Sequence, residues 1–541
     1  MKKPFFQPLP VMAALTALLV ALPVLAVIAE VFKPDTEGVW AHLAETVLAE
    51  YVINSVVLAV GAGLGSALLG VGAAWVVAMH RFPGRAVLEW ALLLPLAMPT
   101  YVIAYVYTDL LQFPGPVQTA LRETFGWERG DYWFPDVRSL GGAIVVFSLV
   151  FYPYVYVLAR AAFLERSGSL IEAARSLGLS TGRAFFRVAL PMARPAVAGG
   201  AALVVMESLA EFGAVSYFGV QTFTTGIYRA WYAFGSPVAA AQLAAALLGV
   251  VALVLLLEKL SRGRARFHET GHRQPILPEL SAGHSGLAWL ACLLPLAGGF
   301  LLPTILLLRM AISEGDVEFG EKYLTLAGNS LTLAVMASAL AAVLALFLAY
   351  AERLHAGPFI AATKRIASLG YAVPGTVIAV GALIPLTALD HALILYMREH
   401  YDIMLGLVFT GSAVALVFAY IARFLAVALN AVESGMSRIR PSIDDAARSL
   451  GAGRRTLLAR VHVPMLATGI LSAVLLVFVD VMKELPATIV LRPFNFETLA
   501  TQVYILAADE RLSEAATPSL AIVAVGLIPV ILLSRAIRRR G

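Results

Sequence analysis

Four carboxylates lie inside apolar stretches where charge is costly: Glu207 and Glu211 in one run, Asp480 and Glu484 in another. Within each pair the spacing is i, i+4, which in a helix places both acids on one face. An Asp at the centre of a bilayer costs about 2.5–3.5 kcal/mol on insertion scales, so such groups normally face a polar cavity or pathway. Carboxylate oxygen is a hard ligand that suits hard, highly charged cations. All four acids are therefore candidate pathway residues and candidate metal ligands for a transported cation. Lys483, beside Asp480, supports the plainer alternative of a structural ion pair, and its counterpart in the first run is Ala210, so the two sites are unequal. Tyr101, Tyr105 and Tyr107 could add phenolate oxygen, but fit better as an aromatic belt at a membrane face. His391, Glu399, His400 and Asp402 are metal-ligand types at a spacing that matches no compact motif, and fit a solvated outer loop.

The runs that must position these acids exclude a soluble globule. Of 541 residues, 60% are hydrophobic and 14% charged, against about 25% charged in soluble domains. Apolar runs near the roughly 20 residues needed to cross hydrocarbon fall at 11–32, 52–79, 87–111, 140–163, 195–218 and 238–257, then at 287–312, 329–351, 366–389, 404–427, 466–490 and 516–537. The pattern predicts an all-α polytopic transmembrane bundle of twelve spans. A β-barrel would show alternating segments of about ten residues instead. The first run follows Lys2 and Lys3 and is too long for a signal-peptide core, so a retained span and a mature chain starting at or near Met1 are expected. Lys and Arg gather in alternate connections, which the positive-inside rule assigns to the cytoplasm together with both termini. The net charge of +5 is thus a topology signal and calls for membrane lipid, not nucleic acid, as partner. A single Cys292 excludes an internal disulfide and a cysteine-built metal site.

The halves are one unit written twice. Asn54-Ser55 returns as Asn329-Ser330, and Pro99 with Val102-Ile103-Ala104 returns as Pro374 with Val377-Ile378-Ala379, at an offset of 275. The acidic pairs return at an offset of 273. Six spans per copy leave both copies in one orientation, as tandem parallel repeats. The expected organisation is a first repeat over 1–257, a basic cytoplasmic linker over 258–286 and a second repeat over 287–541. The prolines Pro95, Pro99, Pro374 and Pro385 are expected to kink the third and ninth spans.

Glu172-Ala173-Ala174-Arg175-Ser176-Leu177-Gly178 also repeats, as Asp445-Ala446-Ala447-Arg448-Ser449-Leu450-Gly451, and each Gly is followed 13 residues later by Pro191 or Pro464. Ser169 and Ser442 stand three residues before the acid, which predicts a capping box. Gly178 and Gly451 supply the left-handed residue that ends many helices. A short polar helix with a small apolar face suits the groove of another protein. One such turn could be an ordinary connection between spans; two at equivalent sites point to docking.

The signature Glu172, Ala173, Ala174, Gly178, Leu190 and Pro191 resembles the cytoplasmic signature of permease subunits of binding-protein-dependent ABC importers. The second copy departs from it at Asp445 and Val463. The duplicated layout further resembles the fused permeases of ferric iron uptake, over essentially the whole chain, with Pro99–Asp109, Thr224–Trp231 and Asp480–Thr488 most like that branch. The resemblance implies the type I importer permease fold and inner-membrane location. It also implies two copies of a cytoplasmic ABC ATPase docked on these segments, a periplasmic or extracellular substrate-binding protein, and ferric iron moved by alternating access. Thiamine and polyamine are the competing substrates, and an ion-coupled secondary transporter is the alternative from another class. No Gly-x-x-x-x-Gly-Lys-Ser/Thr cradle, His-Glu-x-x-His or Gly-x-Ser-x-Gly motif occurs, so the chain alone is expected to be no enzyme and to bind no cofactor, with ATP entering through the partner.

Overall fold

The computed structural model describes residues 8–34, 38–166, 174, 176–262, 279–313, 321–355 and 357–538. Among these residues the chain is helical, with no β-strand and one isolated bridge between Arg81 and Glu279. Ten described helices are long and apolar enough to cross a membrane, or twelve if two bent pairs each count as one span. Ten of the expected spans are matched by single helices with shifted ends, and the third and eleventh fall on the two bent pairs. The fifth is Gly182–Ala210, the ninth Gly375–Tyr401 and the tenth Ala413–Met436.

Proline places the breaks. The third span is a pair, Arg85–Ala97 and Thr100–Phe125, bent by 93°. Pro99 sits at the bend in extended conformation, and lacks the N–H that would continue the helix. The ninth span is preceded by the same arrangement: a short helix Pro358–Ala367, a 3-10 turn Leu369–Ala372, then Pro374 extended before the long helix. Pro385, by contrast, is accommodated inside that helix. The eleventh span is a second bent pair, Arg454–Met465 and Ala467–Met482, with an angle of 72°. Its counterpart in the first half, the fifth span, is one continuous helix.

The described residues form two compact units that cut across the sequence halves. One draws on Met1–His42, Ile227–Leu248 and Glu318–Gln502; the other on Leu43–Gly226, Gly249–Val317 and Val503–Gly541. In the first of these, the first span, Leu9–Glu30, packs on the ninth so closely that a Cβ on Gly381 would stand 2.1 Å from the Pro23 carbonyl oxygen. In the second, the twelfth span, Leu512–Leu532, meets the turn Leu94–Ala97, where a Cβ on Gly526 would stand 2.6 Å from the Ala97 carbonyl oxygen. Small residues allow such backbone approach in lipid. A span that is apolar all round carries no periodic stripe to say which groove covers it, so the exchange of helices between halves leaves no trace in the hydrophobic pattern.

Candidate functional site

The two docking segments end alike. The N–H of Leu179 donates to the Ala174 carbonyl at 3.1 Å, and that of Ala452 to the Ala447 carbonyl at 3.0 Å. Gly178 (φ 86°) and Gly451 (φ 81°) take the left-handed conformation between them. This is the Schellman ending, in which a glycine avoids the Cβ clash of that region. Glu172 and Ala173 lie outside the described residues, as does Ser169. In the second copy the helix is Pro441–Ser449, with Pro441 in its first turn and Arg440 as N-cap without a side-chain bond. The expected capping box is therefore absent there: Pro at the first helical position places Ser442 inside the helix. Asp445 and Ala446 are exposed and Ala447 half-buried. Leu177 is 85% exposed and Leu450 90% exposed at matching positions. Leu190 and Pro191 begin the helix Leu190–Ala210, and Pro464 lies in the turn Val463–Met465.

The acidic pairs do not share one helix face. The helix carrying Glu207 ends at Ala210 and the one carrying Asp480 ends at Met482, so Glu211 and Glu484 fall in the breaks that follow. Each caps the next short helix. The N–H of Ala214 donates to Glu211 Oε1 at 3.0 Å, and that of Ala487 to Glu484 Oε1 at 2.9 Å. Copy-specific partners complete the two sites. In the first, the Thr100 hydroxyl donates to Glu211 Oε2 at 2.6 Å. In the second, Arg423 Nη1 donates to Glu484 Oε1 at 2.7 Å, while the Thr488 amide and hydroxyl donate to Oε2 at 2.9 and 2.6 Å. Asp480, half-buried, pairs with Lys483 at 3.1 Å. Glu207 is half-buried on the fifth span. Among the described residues no three His, Cys, Asp or Glu side chains are grouped to hold a metal ion.

Beneath the second docking segment lies a network that pattern reading missed. Asp444 accepts from Arg353 Nε at 2.8 Å through one oxygen and meets His462 Nε2 at 2.9 Å through the other. Burial raises the carboxyl pKa of Asp444, but the Arg353 guanidinium and His462 beside it outweigh that and hold it below the usual range. Comparing the copies position by position would have revealed it: Ala78, Ile171 and Ala189 stand where Arg353, Asp444 and His462 do, at offsets of 275, 273 and 273.

The weaker candidates resolve into structure. Tyr101, Tyr105 and Tyr107 are buried, so they form core instead of an aromatic belt, and the Tyr107 hydroxyl donates to the Gly298 carbonyl at 2.6 Å. His391, Glu399 and His400 are on the ninth span helix, which runs to Tyr401, because Asp402 closes it in left-handed conformation (φ 55°). The anchoring residue in that region is the neighbour Asp390, fully buried, whose oxygens accept from the amides of Val408, Phe409 and Thr410.

Known proteins resemble this chain in sequence. Residues 66–266 match the family of binding-protein-dependent transport system inner membrane components. The Fe(3+)-transport system permease protein FbpB 2 of Haemophilus influenzae is 27% identical over 496 residues, covering 90% of each chain. The molybdenum transport system permease protein ModB of the same organism is 32% identical over 164 residues, covering 30% of this chain and 69% of its own length. A probable sulfate transport system permease protein of Chlorokybus atmophyticus is 30% identical over 201 residues, covering 36% and 65%. With its duplicated helical spans and the family's signature on the described ends of both docking segments, the chain belongs to the inner membrane components of binding-protein-dependent transport systems.

Proposed function

We propose that the chain is the complete membrane pathway of an ABC importer for ferric iron, with repeats 1–257 and 287–541 joined by the linker 258–286 and both termini cytoplasmic. The observation that carries this reading is the similarity to an Fe(3+) permease along 90% of both chains, whereas the sulfate and molybdenum permeases named above align with about a third of this one. Two ATPase subunits dock on the segments ending at Gly178 and Gly451, each taking an exposed leucine, Leu177 or Leu450, into a groove. ATP is theirs to hydrolyse. A substrate-binding protein delivers the ion on the opposite face. Glu207 and Asp480 carry the pathway role, since carboxylate suits a hard trivalent cation and disfavours an oxyanion. Glu211 and Glu484 hold the turns that follow the fifth and eleventh spans and give these acids their setting.

The test is uptake into proteoliposomes containing the chain, its ATPase and its binding protein, with ferric iron, thiamine and spermidine compared. Ferric uptake that requires ATP is expected. Gly178→Leu with Gly451→Leu should uncouple transport and weaken ATPase co-purification; among the described residues nothing lies within 4 Å of a Cβ at either glycine, and Gly178→Ala with Gly451→Ala, which carries the same left-handed strain without the bulk, serves as the control. Glu207→Ala with Asp480→Ala should abolish ferric uptake while assembly persists. Uptake that proceeds undiminished without ATP, or prefers thiamine or spermidine, overturns the proposal.

A further inference from the structure

The second docking segment is held from beneath by polar side chains. In the second half Asp444, 5% exposed, is clasped between the end of the helix Glu321–Leu354, through Arg353, and the π-helical turn Leu458–His462, through the fully buried His462. Tyr350 closes the same joint: its hydroxyl donates to the Arg454 carbonyl at 2.6 Å, and its ring lies edge-on to His462 with centroids 5.6 Å apart. The first half places Ala78, Ile171 and Ala189 at the three corresponding positions. Ala78 and Ala189 are fully buried there, and the π-helical turn recurs at Phe185–Ala189. The described flanks of the first-half joint, Ala78 and Ala189, are thus apolar, whereas the second half carries a polar triad.

Stability does not account for the difference. A buried ion set has to overcome the desolvation of each member, and apolar replacements of similar volume are often as stable or more so. What the triad adds is direction, because only one orientation of Pro441–Ser449 satisfies both Asp444 oxygens. Its second arm also lies in the turn that feeds the bent eleventh span, where π-helical geometry commonly marks a functional joint. We propose that Arg353, Asp444 and His462 are positioning residues, a polar latch that ties the second docking helix to the eleventh span, so that ATPase movement is transmitted more tightly through the second half than through the first. This rests on the reading of Pro441–Ser449 as an ATPase docking helix.

The test uses the full transporter in proteoliposomes and measures ATP hydrolysis and uptake separately. Asp444→Asn and His462→Gln are expected to leave ATPase co-purification and hydrolysis in place while uptake per ATP falls about tenfold, a typical coupling energy between sites. Asp444→Glu should recover part of the loss. The decisive variant copies the first half, Arg353→Ala with Asp444→Ile and His462→Ala. It should assemble and hydrolyse ATP yet remain poorly coupled. Full uptake per ATP in this triple variant overturns the latch, and so does its failure to assemble, which would make the triad structural. Docking itself is read independently: if Leu177→Asp with Leu450→Asp leaves the ATPase bound, the docking assignment fails, whatever the triad does.

Discussion

Lys364 and Glu433 meet at 3.1 Å at the positions where the first half pairs Glu89 with Arg160, so the same ion pair occurs twice with its charges exchanged. Each pair ties the short helix before a span, Arg85–Ala91 or Pro358–Ala367, to the next long helix, Leu140–Arg166 or Ala413–Met436. Lys364 also binds Glu352 at 2.8 Å. Burial lowers its pKa, but the two carboxylates more than offset that and leave it raised. In a duplicated chain the exchange has a consequence. Glu89 set against Glu433 would juxtapose two carboxylates, and Lys364 against Arg160 two cations, so the charges favour the correct pairing of corresponding helices.

Reversing one member should therefore cost more than removing it. Glu89→Lys is expected to lower the thermal midpoint in detergent further than Glu89→Gln, and adding Arg160→Glu should restore most of the loss. A double-mutant cycle is expected to give a coupling of about 0.5–3 kcal/mol, as for other contacting charges. Additive effects of the two substitutions would show the pair to be incidental.

Gly375 is the first half's Thr100 rewritten. Thr100 gives Glu211 a hydroxyl; at Gly375 a Cβ would stand 2.2 Å from Arg423 Nη1 and 2.9 Å from Glu484 Oε1. The missing side chain is the space through which the guanidinium reaches the acid. Gly375→Thr should push Arg423 away and leave Glu484, whose side chain is 2% exposed, short of its counter-charge. A loss of about 3–5 kcal/mol is expected, the usual effect of breaking a buried pair, and Arg423→Met in the same background should not deepen it. An unchanged unfolding midpoint for Gly375→Thr would contradict this.

Much of this fold was legible because lipid imposes its own grammar. Length and hydropathy marked the apolar runs, and duplication marked the helix-ending glycines Gly178 and Gly451. What escaped was set by the copies' differences. The i, i+4 spacing of Glu207 and Glu211 suggested one helical face, yet helix ends are decided locally, and Glu211 and Glu484 serve the N–H groups of the next helix. The capping box at Ser442 yielded to Pro441. Packing of Leu9–Glu30 onto the ninth span depends on a glycine meeting a carbonyl, a fit that no periodicity reports. The triad at Asp444 was visible only as three separate apolar-to-polar changes, far apart in sequence and joined by folding.

Asp390 presents a smaller test, at the connection between the ninth and tenth spans. Its two oxygens take three successive backbone amides and the Thr410 hydroxyl, which fixes the segment between the ninth and tenth spans. Asp390→Asn would turn an NH2 toward those N–H donors. Leaving buried donors unsatisfied costs about 1–3 kcal/mol, and the effect should be local: faster hydrogen exchange at 402–412 with the spans unchanged. Wild-type protection of that segment would show that the loop holds itself.

Acid should loosen the second docking helix through Asp444. Its carboxyl lies below the usual range because Arg353 and His462 favour the ionised form against the opposing effect of burial. A depressed native pKa stabilises the folded joint fully above the unfolded value, about 3.9, and that contribution is lost as pH falls through the lower native value. At about pH 5, a margin above that unfolded value, the protection of Pro441–Ser449 against exchange should thus exceed that of Asp444→Asn. Below it the two should converge, as protonation makes the wild-type side chain resemble the amide. A gap that persists to the lowest pH at which the detergent-solubilised chain stays folded would mean that Asp444 acts through shape and not through charge.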